Sequence, residues 1–275
     1  MKIFVLKNTN NLFGSDAIQE FELWNSPINT FCKKVEHSTA AEREKLLKEL
    51  KESFPDVFSG GLGRCNKMTA RLELKEDSHP VFKKKRNIPF ASLNQIDKEL
   101  DRLERTGVIS KIQYNKWAPP AVYIRKKSNE IRVCADFSTG LNAALKDYNY
   151  PLPSPSEVFT KLNGGVYFSK IDLSEAYLQI PMEENSSELL CINTHRGLYK
   201  FERLAFGVKV APAIFQQVMD TMLGGLDFTI AYLDDILIKS QSKEEHRLHV
   251  NQVFKRIQDY GFKIKESKCE FFWKV

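Results

Sequence analysis

Two adjacent aspartates, Asp234 and Asp235, lie between the short apolar segments 228–232 and 236–239. Apolar segments separated by only three residues predict a β-hairpin, here with acids at its tip. Because both predicted strands are apolar on both faces, we expect the hairpin to lie in the middle of a sheet. Acids at the end of a buried hairpin are costly unless a cation compensates their charge. The pattern therefore predicts a metal site, where an ordinary surface turn is the common alternative.

A third acid, Asp172, ends another predicted strand at about 165–173. Three carboxylates form an oxygen-rich site, which favours Mg²⁺ over softer metals, with Mn²⁺ as the expected substitute ion. Two Mg²⁺ ions at such a site would allow one ion to activate an attacking hydroxyl while the other stabilises a leaving pyrophosphate. The three acids therefore predict phosphoryl transfer, provided that the fold brings them together.

The composition is that of a soluble globular protein, because 42% of the 275 residues are hydrophobic and 28% are charged. No run of 18 apolar residues occurs, so we expect no membrane partner. The cysteines have neither zinc-ligand nor redox spacing, which predicts reduced thiols in an intracellular protein. They are Cys32, Cys65, Cys134, Cys191 and Cys269.

The net charge is +6, and the distribution of the cations is more informative than their sum. One basic cluster spans Lys83–Arg86, and a second contains Arg125, Lys126, Lys127 and Arg132. Such clusters suit a nucleic-acid backbone or a triphosphate. Taken alone, they are better explained as a solvated charged face.

Helices and strands alternate along the chain in an order that separates the acids widely in sequence. Periodicity predicts a helix over 40–54 and another over 92–106, the second with a capping box of Ser92 and Gln95. The remaining predictions are strands over 120–137 with a turn at Ser128-Asn129, a short helix capped by Ser154 and Glu157, a helix opened by Pro212, and a last helix capped by Ser242 and Glu245 that ends at Gly261. On this last helix, His246 and His249 are predicted to face solvent or the edge of the core.

Five segments in a fixed order resemble the motifs of reverse transcriptases, and particularly those of gypsy-type LTR retrotransposons. Tyr232-Leu233-Asp234-Asp235 is similar to the family's Tyr-x-Asp-Asp box. The other segments are Tyr150–Pro153, Phe168–Leu173, Leu204–Gln216 and Lys268–Phe271. The resemblance extends from about Phe54 to the end of the chain.

The resemblance implies an α+β fold, a right-hand polymerase with fingers and palm but without its thumb. An antiparallel palm sheet backed by helices is expected. The resemblance places the reverse transcriptase at 55–275, with fingers at about 55–145 and 181–210 and palm at about 146–180 and 211–275. Residues 1–54 are expected to be a leader, in which 11–18 resemble the closing segment of an aspartic protease and a helical linker follows.

The resemblance also assigns roles to individual residues. It makes Asp172 and Asp234 direct metal ligands, with Asp235 as the third acid. Lys126 and Arg132 match fingers residues that hold an incoming triphosphate, which suits a lysine point charge and a guanidinium fork. Without the motifs, both would be read as surface charge.

Two aromatic residues complete the expected nucleotide pocket. Tyr177 matches the aromatic residue that excludes a sugar 2′-hydroxyl, and Phe206 matches one that lines the pocket. Alone, either would be read as core packing. Ser138 and Ala205 depart from the family pattern, which usually has arginine and proline there, and the departure affects the expected shape of the nucleotide pocket, not the expected chemistry of the acids.

The activity implied is RNA-directed DNA polymerisation, the addition of deoxynucleotides to a primer 3′ end by a two-metal mechanism. The expected partners are an RNA or DNA template with its primer, deoxynucleoside triphosphates, and the remaining thumb, connection, RNase H and integrase of a Pol polyprotein. The expected location is cytoplasmic, within retrotransposon particles. A catalytically silent remnant that only binds nucleic acid is the first alternative, and an RNA-binding sheet with exposed aromatics is the second. Without a thumb, we expect poor polymerisation and partly uncovered Phe271, Phe272 and Trp273.

Overall fold

A five-stranded antiparallel sheet carries both of the acid-bearing segments. The computed structural model describes residues 36–37, 40–126 and 129–274. Its strands are β1 (Glu36–His37), β2 (Ile109–Ile112), β3 (Ala121–Arg125), β4 (Ile131–Ala135), β5 (Tyr167–Asp172), β6 (Cys191–Thr194), β7 (Gly197–Phe201), β8 (Thr229–Tyr232), β9 (Asp235–Ser240) and β10 (Glu270–Lys274). The large sheet has the order β1-β10-β5-β9-β8, and every neighbouring pair is antiparallel.

Helices pack against this sheet and beside two smaller ones. The helices are α1 (Ala40–Ser53), α2 (Pro55–Phe58), α3 (Phe90–Arg105), α4 (Leu141–Ala144), α5 (Pro155–Leu162), α6 (Glu184–Ser187), α7 (Ala211–Met222) and α8 (Lys243–Asp259). Helix α8 lies against β9 and β5, while α5 and α7 lie against β8. No helix within the described ranges is long and apolar enough to cross a membrane.

The predicted central position of the hairpin formed by β8 and β9 is confirmed for only one of its two strands. Strand β9 is interior, between β5 and β8, and its Ile236 and Ile238 are buried. Strand β8 lies at the edge of the sheet in the described part of the chain. The prediction of a central hairpin therefore holds for β9, the strand that begins with Asp235.

Helix α8 packs against one face of the acid-bearing strands β5 and β9. Its predicted capping box forms, since Ser242 accepts a hydrogen bond from the Glu245 amide and the Glu245 carboxylate accepts one from the Ser242 amide. Its buried side chains include Val250, Val253 and Phe254. Each apolar side chain of this size contributes about 1.5–3 kcal/mol when it is fully buried. The helix is thus anchored at its start and along one face.

Two predictions about helix α3 have different outcomes. The helix itself is confirmed, and it buries Ile96, Leu100 and Leu103 as its periodicity requires. The predicted capping box is wrong, because the helix begins at Phe90 after Pro89, with no side-chain hydrogen bond at the cap. Ser92 therefore lies inside the first turn.

The two smaller sheets lie among the stretches predicted as fingers. Strands β3 and β4 form a hairpin, with Asn129 in a left-handed conformation (φ 67°) in the turn. The other sheet has the order β2-β7-β6. The division of the chain into fingers and palm remains a prediction.

Helix α1 packs beside α8, although it falls in the predicted leader. Its Leu46 and Leu50 are buried in the main core, and Glu49 pairs with Arg247 of α8 at 3.5 Å. The proposed protease-like segment, 11–18, lies outside the described residues.

Two expectations about exposure are wrong. His246 is fully buried, and Ser169 and Ser240 each lie within hydrogen-bond distance of one of its ring nitrogens. Phe271 and Phe272 are buried rather than uncovered, whereas Trp273 is partly exposed as expected. Phe271 packs near Phe254 of α8, and Phe272 packs beside His246, so β10 is covered by the same helix.

Candidate functional site

The sheet register brings two of the three predicted acids side by side. Asp172 is the last residue of β5, Asp235 is the first of β9, and the two are direct partners across the antiparallel pair. Asp234 precedes Asp235 in a two-residue turn whose first residue, Leu233, is left-handed (φ 56°). Residues opposite each other on such strands have Cα atoms about 4.5–5.5 Å apart. The backbone therefore places all three acids at one end of the sheet.

Asp234 is the acid whose charge is least favourable in this setting. Desolvation raises the pKa of its carboxyl, and the charges of Asp172 and Asp235 raise it further. Lys268 and Arg132 act in the opposite direction, but the net pKa shift is upward. The like charges at the tip thus make a bound cation favourable.

Two lysines that the sequence reasoning did not select neutralise the other two acids. The Lys170 ammonium lies 2.7 Å from an Asp235 carboxylate oxygen. The Lys268 ammonium donates a hydrogen bond to the Asp172 carboxylate at 3.0 Å. Lys170 lies two residues before Asp172, so alternation on a strand was the available signal. Lys268 belongs to a family-like motif, but nothing in its spacing pointed to Asp172.

Lys170 is itself set among acids. Burial lowers the pKa of its ammonium, but the hydrogen bond and charge of Asp235, with the charges of Asp172 and Glu270, outweigh burial and raise it. The lysine therefore remains charged at neutral pH.

The donors at this end suit a hard divalent cation in kind, since all three are carboxylates. Within the described ranges, however, no three His, Cys, Asp or Glu side chains are gathered as a metal site. Lys170 and Lys268 instead hold two of the carboxylates. The three acids thus fit Mg²⁺ in charge and donor type, and binding would exchange lysine contacts for metal contacts.

Three of the predicted nucleotide-binding residues, Tyr177, Phe206 and Arg132, contact one another in a row, and we refer to this group as the stack although its two rings are tilted. The ring centroids of Tyr177 and Phe206 are 5.1 Å apart, and Tyr177 also meets Phe215 edge-on. The Arg132 guanidinium lies over the Phe206 ring at 4.7 Å. Its Nε is buried and has no hydrogen-bond partner in the described part of the protein.

The stack and the acids share one electrostatic environment. Burial raises the pKa of Tyr177 to about 12, and the charge of Asp234 adds to the effect. Arg132 in turn lowers the pKa of Asp234, against the larger upward effects. Tyr177 and Arg132 therefore lie within electrostatic range of Asp234.

Lys126 lies at the base of the β3–β4 turn and is paired separately. Its ammonium is 3.7 Å from Glu130 and 3.9 Å from Glu175, beyond ordinary hydrogen-bond length. Glu175 is held more closely by Arg102, at 3.1 Å. Lys126 is therefore attracted by two acids without being fixed by either. Lys127 of the same basic cluster lies outside the described residues.

The basic segment Lys83–Arg86 is exposed. Within this segment, Arg86 forms an ion pair with Asp136. Ser138, which stands where the family usually has arginine, donates a hydrogen bond to that same Asp136. Asp136 therefore gains a guanidinium partner from another segment.

Comparison with known proteins identifies what this arrangement resembles. Residues 124–275 match the family model described as reverse transcriptase (RNA-dependent DNA polymerase). This segment is more than half of the chain and contains all of the predicted site residues.

Relatives match the chain over most of its length. An uncharacterized protein of Caenorhabditis elegans, K02A2.6, is 44% identical over 98% of this chain and 21% of its own length. The retrovirus-related Pol polyprotein from transposon 412 of Drosophila melanogaster is 27% identical over 99% of this chain and 23% of its own length. The chain thus spans about a fifth of these relatives.

Solved structures share the fold. The foamy viral protease-reverse transcriptase in complex with an RNA/DNA hybrid superimposes with a TM-score of 0.77 at 20% identity, over 98% of this chain and 35% of that one. The same viral protein in complex with double-stranded DNA gives a TM-score of 0.76 at 20% identity, over 86% of this chain and 42% of that one. The predicted α+β fold of polymerase fingers and palm is confirmed.

Proposed function

Because the chain belongs to the reverse transcriptase (RNA-dependent DNA polymerase) family, we propose that it adds deoxynucleotides to a primer 3′ end on an RNA or DNA template. The observation that carries the proposal is the register of β5 and β9, which pairs Asp172 with Asp235 and leaves Asp234 beside them. Relatives named as transposon polyproteins support a retrotransposon origin. The gypsy type is the origin that the motifs favour.

In this proposal Asp172 and Asp234 hold divalent metal, with Asp235 as the third acid. Two bound Mg²⁺ ions, or Mn²⁺ in their place, would activate the primer hydroxyl and neutralise the leaving pyrophosphate. The protein's own contribution is to place carboxylates on rigid strands. It also keeps their charge compensated, through Lys170 and Lys268, before metal binds.

The stack beside the acids would receive the nucleotide. Arg132 and Lys126 would bind the triphosphate, since a guanidinium forks onto phosphate oxygens and a loosely held lysine adds a point charge. Tyr177 would lie under the sugar and exclude a 2′-hydroxyl, with Phe206 lining the pocket. Contact between Tyr177, Phe206 and Arg132 supports these roles, as does the electrostatic interaction of Tyr177 and Arg132 with Asp234.

The proposed partners follow from charge and from the relatives. The exposed Lys83–Arg86 segment suits a phosphate backbone. Foamy virus proteins of the same fold bind an RNA/DNA hybrid and double-stranded DNA. Since the chain spans about a fifth of its relatives, we propose that it works within a Pol polyprotein that also supplies thumb, connection, RNase H and integrase, in cytoplasmic retrotransposon particles.

A second candidate function is nucleic-acid binding without catalysis. The observation that favours it is the pairing of Lys170 with Asp235 and of Lys268 with Asp172, which keeps two acids neutralised without metal. A remnant of this kind would bind template and primer but never extend the primer.

Primer extension separates the two functions. The chain would be tested alone and fused to the segment that follows the aligned region in the Caenorhabditis elegans relative. We expect Mg²⁺-dependent addition of deoxynucleotides by the fused protein and poor addition by the chain alone. Duplex binding by the fused protein without any extension, in Mg²⁺ or Mn²⁺, would favour the binding-only function.

A further inference from the structure

Lys170 occupies a position at the acid end that an ordinary surface lysine does not have. On strand β5 it points to the same face as Asp172, two residues away. Across the sheet it pairs in register with Glu270 of β10 on one side and with Leu237 of β9 on the other. Asp235 is the diagonal neighbour on β9, within reach of a long side chain. Three carboxylates thus surround one ammonium.

The contact that Lys170 makes is specific among these acids. Its ammonium lies 2.7 Å from the Asp235 carboxylate, a distance typical of a charge-assisted hydrogen bond. Both side chains are about 30% exposed, so water screens the pair only in part. The Lys268 ammonium forms a similar ion pair with the Asp172 carboxylate at 3.0 Å. Asp234 alone has no lysine at such a distance within the described ranges.

We propose that Lys170 is a built-in counter-cation of the acid site, which positions Asp235 and competes with Mg²⁺ for it. The inference rests on the proposed metal role of the acids and assigns a residue that sets how tightly metal binds. In the metal-free protein, Lys170 offsets part of the repulsion between Asp235 and Asp172. When metal arrives, it must share Asp235 with an ammonium or displace it.

The alternative is that the pair is an ordinary partly exposed ion pair, which contributes little. The two interpretations differ in their effect on metal binding. A competing cation weakens Mg²⁺ binding, so its removal should strengthen it. An ordinary ion pair would leave the Mg²⁺ dependence unchanged and alter stability alone.

Thermal melting against Mg²⁺ concentration tests the proposal on the chain as it exists, without requiring polymerase activity. Lys170→Met removes the charge and keeps the length of the side chain. We expect the metal-free protein to melt lower. The Mg²⁺ concentration that gives half of the melting-temperature gain should fall about tenfold, the effect of removing one competing charge-assisted hydrogen bond. Lys170→Arg, which keeps the charge, should stay close to the wild type.

Lys239 offers a matched control on the same sheet. It lies on β9, away from the acids, and donates its hydrogen bond to the carbonyl of Asn163 at 3.0 Å. Lys239→Met should leave the half-saturating Mg²⁺ concentration unchanged. If it shifts that concentration as much as Lys170→Met does, general loss of positive charge is the cause and the proposal is wrong.

A second pair of variants shows whether Lys170 acts through Asp235. In the presence of Asp235→Asn, adding Lys170→Met should no longer tighten Mg²⁺ binding, because the two changes act on one contact. If Lys170→Met does not fold, Lys170→Gln replaces it in both comparisons. If Mg²⁺ raises the melting temperature of the wild type but the half-saturating Mg²⁺ concentration is the same in the charge-removing variant, this inference is wrong and the proposed function still stands. A wild type with no Mg²⁺ gain overturns both this inference and the proposed metal role.

Discussion

The acid end of the five-stranded sheet and the stack near it compensate charge in opposite ways. At the acid end, Asp172 and Asp235 are each held by a lysine. In the stack, Arg132 lies on an aromatic ring, and its Nε has no hydrogen-bond partner in the described residues. A buried donor without a partner costs about 1–3 kcal/mol, which an arriving phosphate oxygen would recover. In the proposed function, the acid end would exchange lysine for metal, and the stack would accept a phosphate group as a new partner.

The largest effect is expected at the acid end, from Asp234→Asn. This variant removes the acid that forms no ion pair with a lysine within the described ranges, so deoxynucleotide addition by the fused protein should fall on the order of a thousandfold. Single-turnover primer extension measures it. Asp227→Asn is the matched control, since Asp227 lies just before β8 at its other end and is fully exposed. Loss of activity in the control alone would show that the acid end is not the catalytic site.

The next effect lies behind the sheet, at buried His246, which contacts Ser240 at the end of β9 opposite to the acids. Burial and the charge of His249 lower the pKa of His246 to about 4, against an opposing effect of Glu245. The unfolded chain has an ordinary histidine pKa of about 6.5 and binds more protons between these values. This contribution to stability is therefore full above about pH 6.5 and is lost as pH falls towards 4, by about 3 kcal/mol.

Urea unfolding of wild type and His246→Phe between pH 4 and 7 measures this contribution. The wild type should lose about 3 kcal/mol more than the variant over that range, because only the wild type has the histidine to protonate. Parallel pH dependence in both proteins would mean that His246 is not the titrating group.

A smaller effect is expected in the stack. Arg132→Met should raise the KM for deoxynucleotides about thirtyfold in the fused protein with less change in kcat, because charge-assisted hydrogen bonds to phosphate are lost. Arg125→Met is the control on the same hairpin, where Arg125 donates to Asn129 at 2.6 Å. Equal changes in both variants would reduce the role of Arg132 to general attraction.

The smallest effect concerns the choice of sugar. Tyr177→Val should lower discrimination against ribonucleotides about tenfold, since it opens space under the sugar ring, a difference typical of pocket contacts. The ratio of kcat/KM for the two sugars measures it. Tyr177→Phe keeps the ring and should keep the discrimination. Unchanged discrimination in the valine variant would mean that Tyr177 only packs in the core against Phe215.

Much of the local structure of the chain could be predicted from the sequence. The capping boxes at Ser154 and Ser242 form as predicted, because a side chain and an amide three residues apart decide them. The box at Ser92 fails because Pro89 starts the helix earlier. Local rules succeed where local contacts decide the outcome.

The sequence indicated which residues belong to the candidate site, but it did not indicate the contacts that those residues make. The pairing of Asp172 with Asp235 joins strands some sixty residues apart, so periodicity alone could not show it, and the resemblance to a family supplied it. The lysines at the acid end were missed because a charge near a motif looks like any surface charge. His246 was misjudged because its neighbours Glu245 and Arg247 are polar, while its partners Ser169 and Ser240 come from other strands.

The central claim is that the acids at the end of β5 and β9 bind divalent metal. Thermal melting of wild type and Asp234→Asn, each with and without Mg²⁺, tests it most directly. The account predicts that Mg²⁺ raises the melting temperature of the wild type, because metal relieves the like charges at the tip, and that the variant loses most of this gain. An equal gain in Asp234→Asn would place the metal elsewhere and contradict the account.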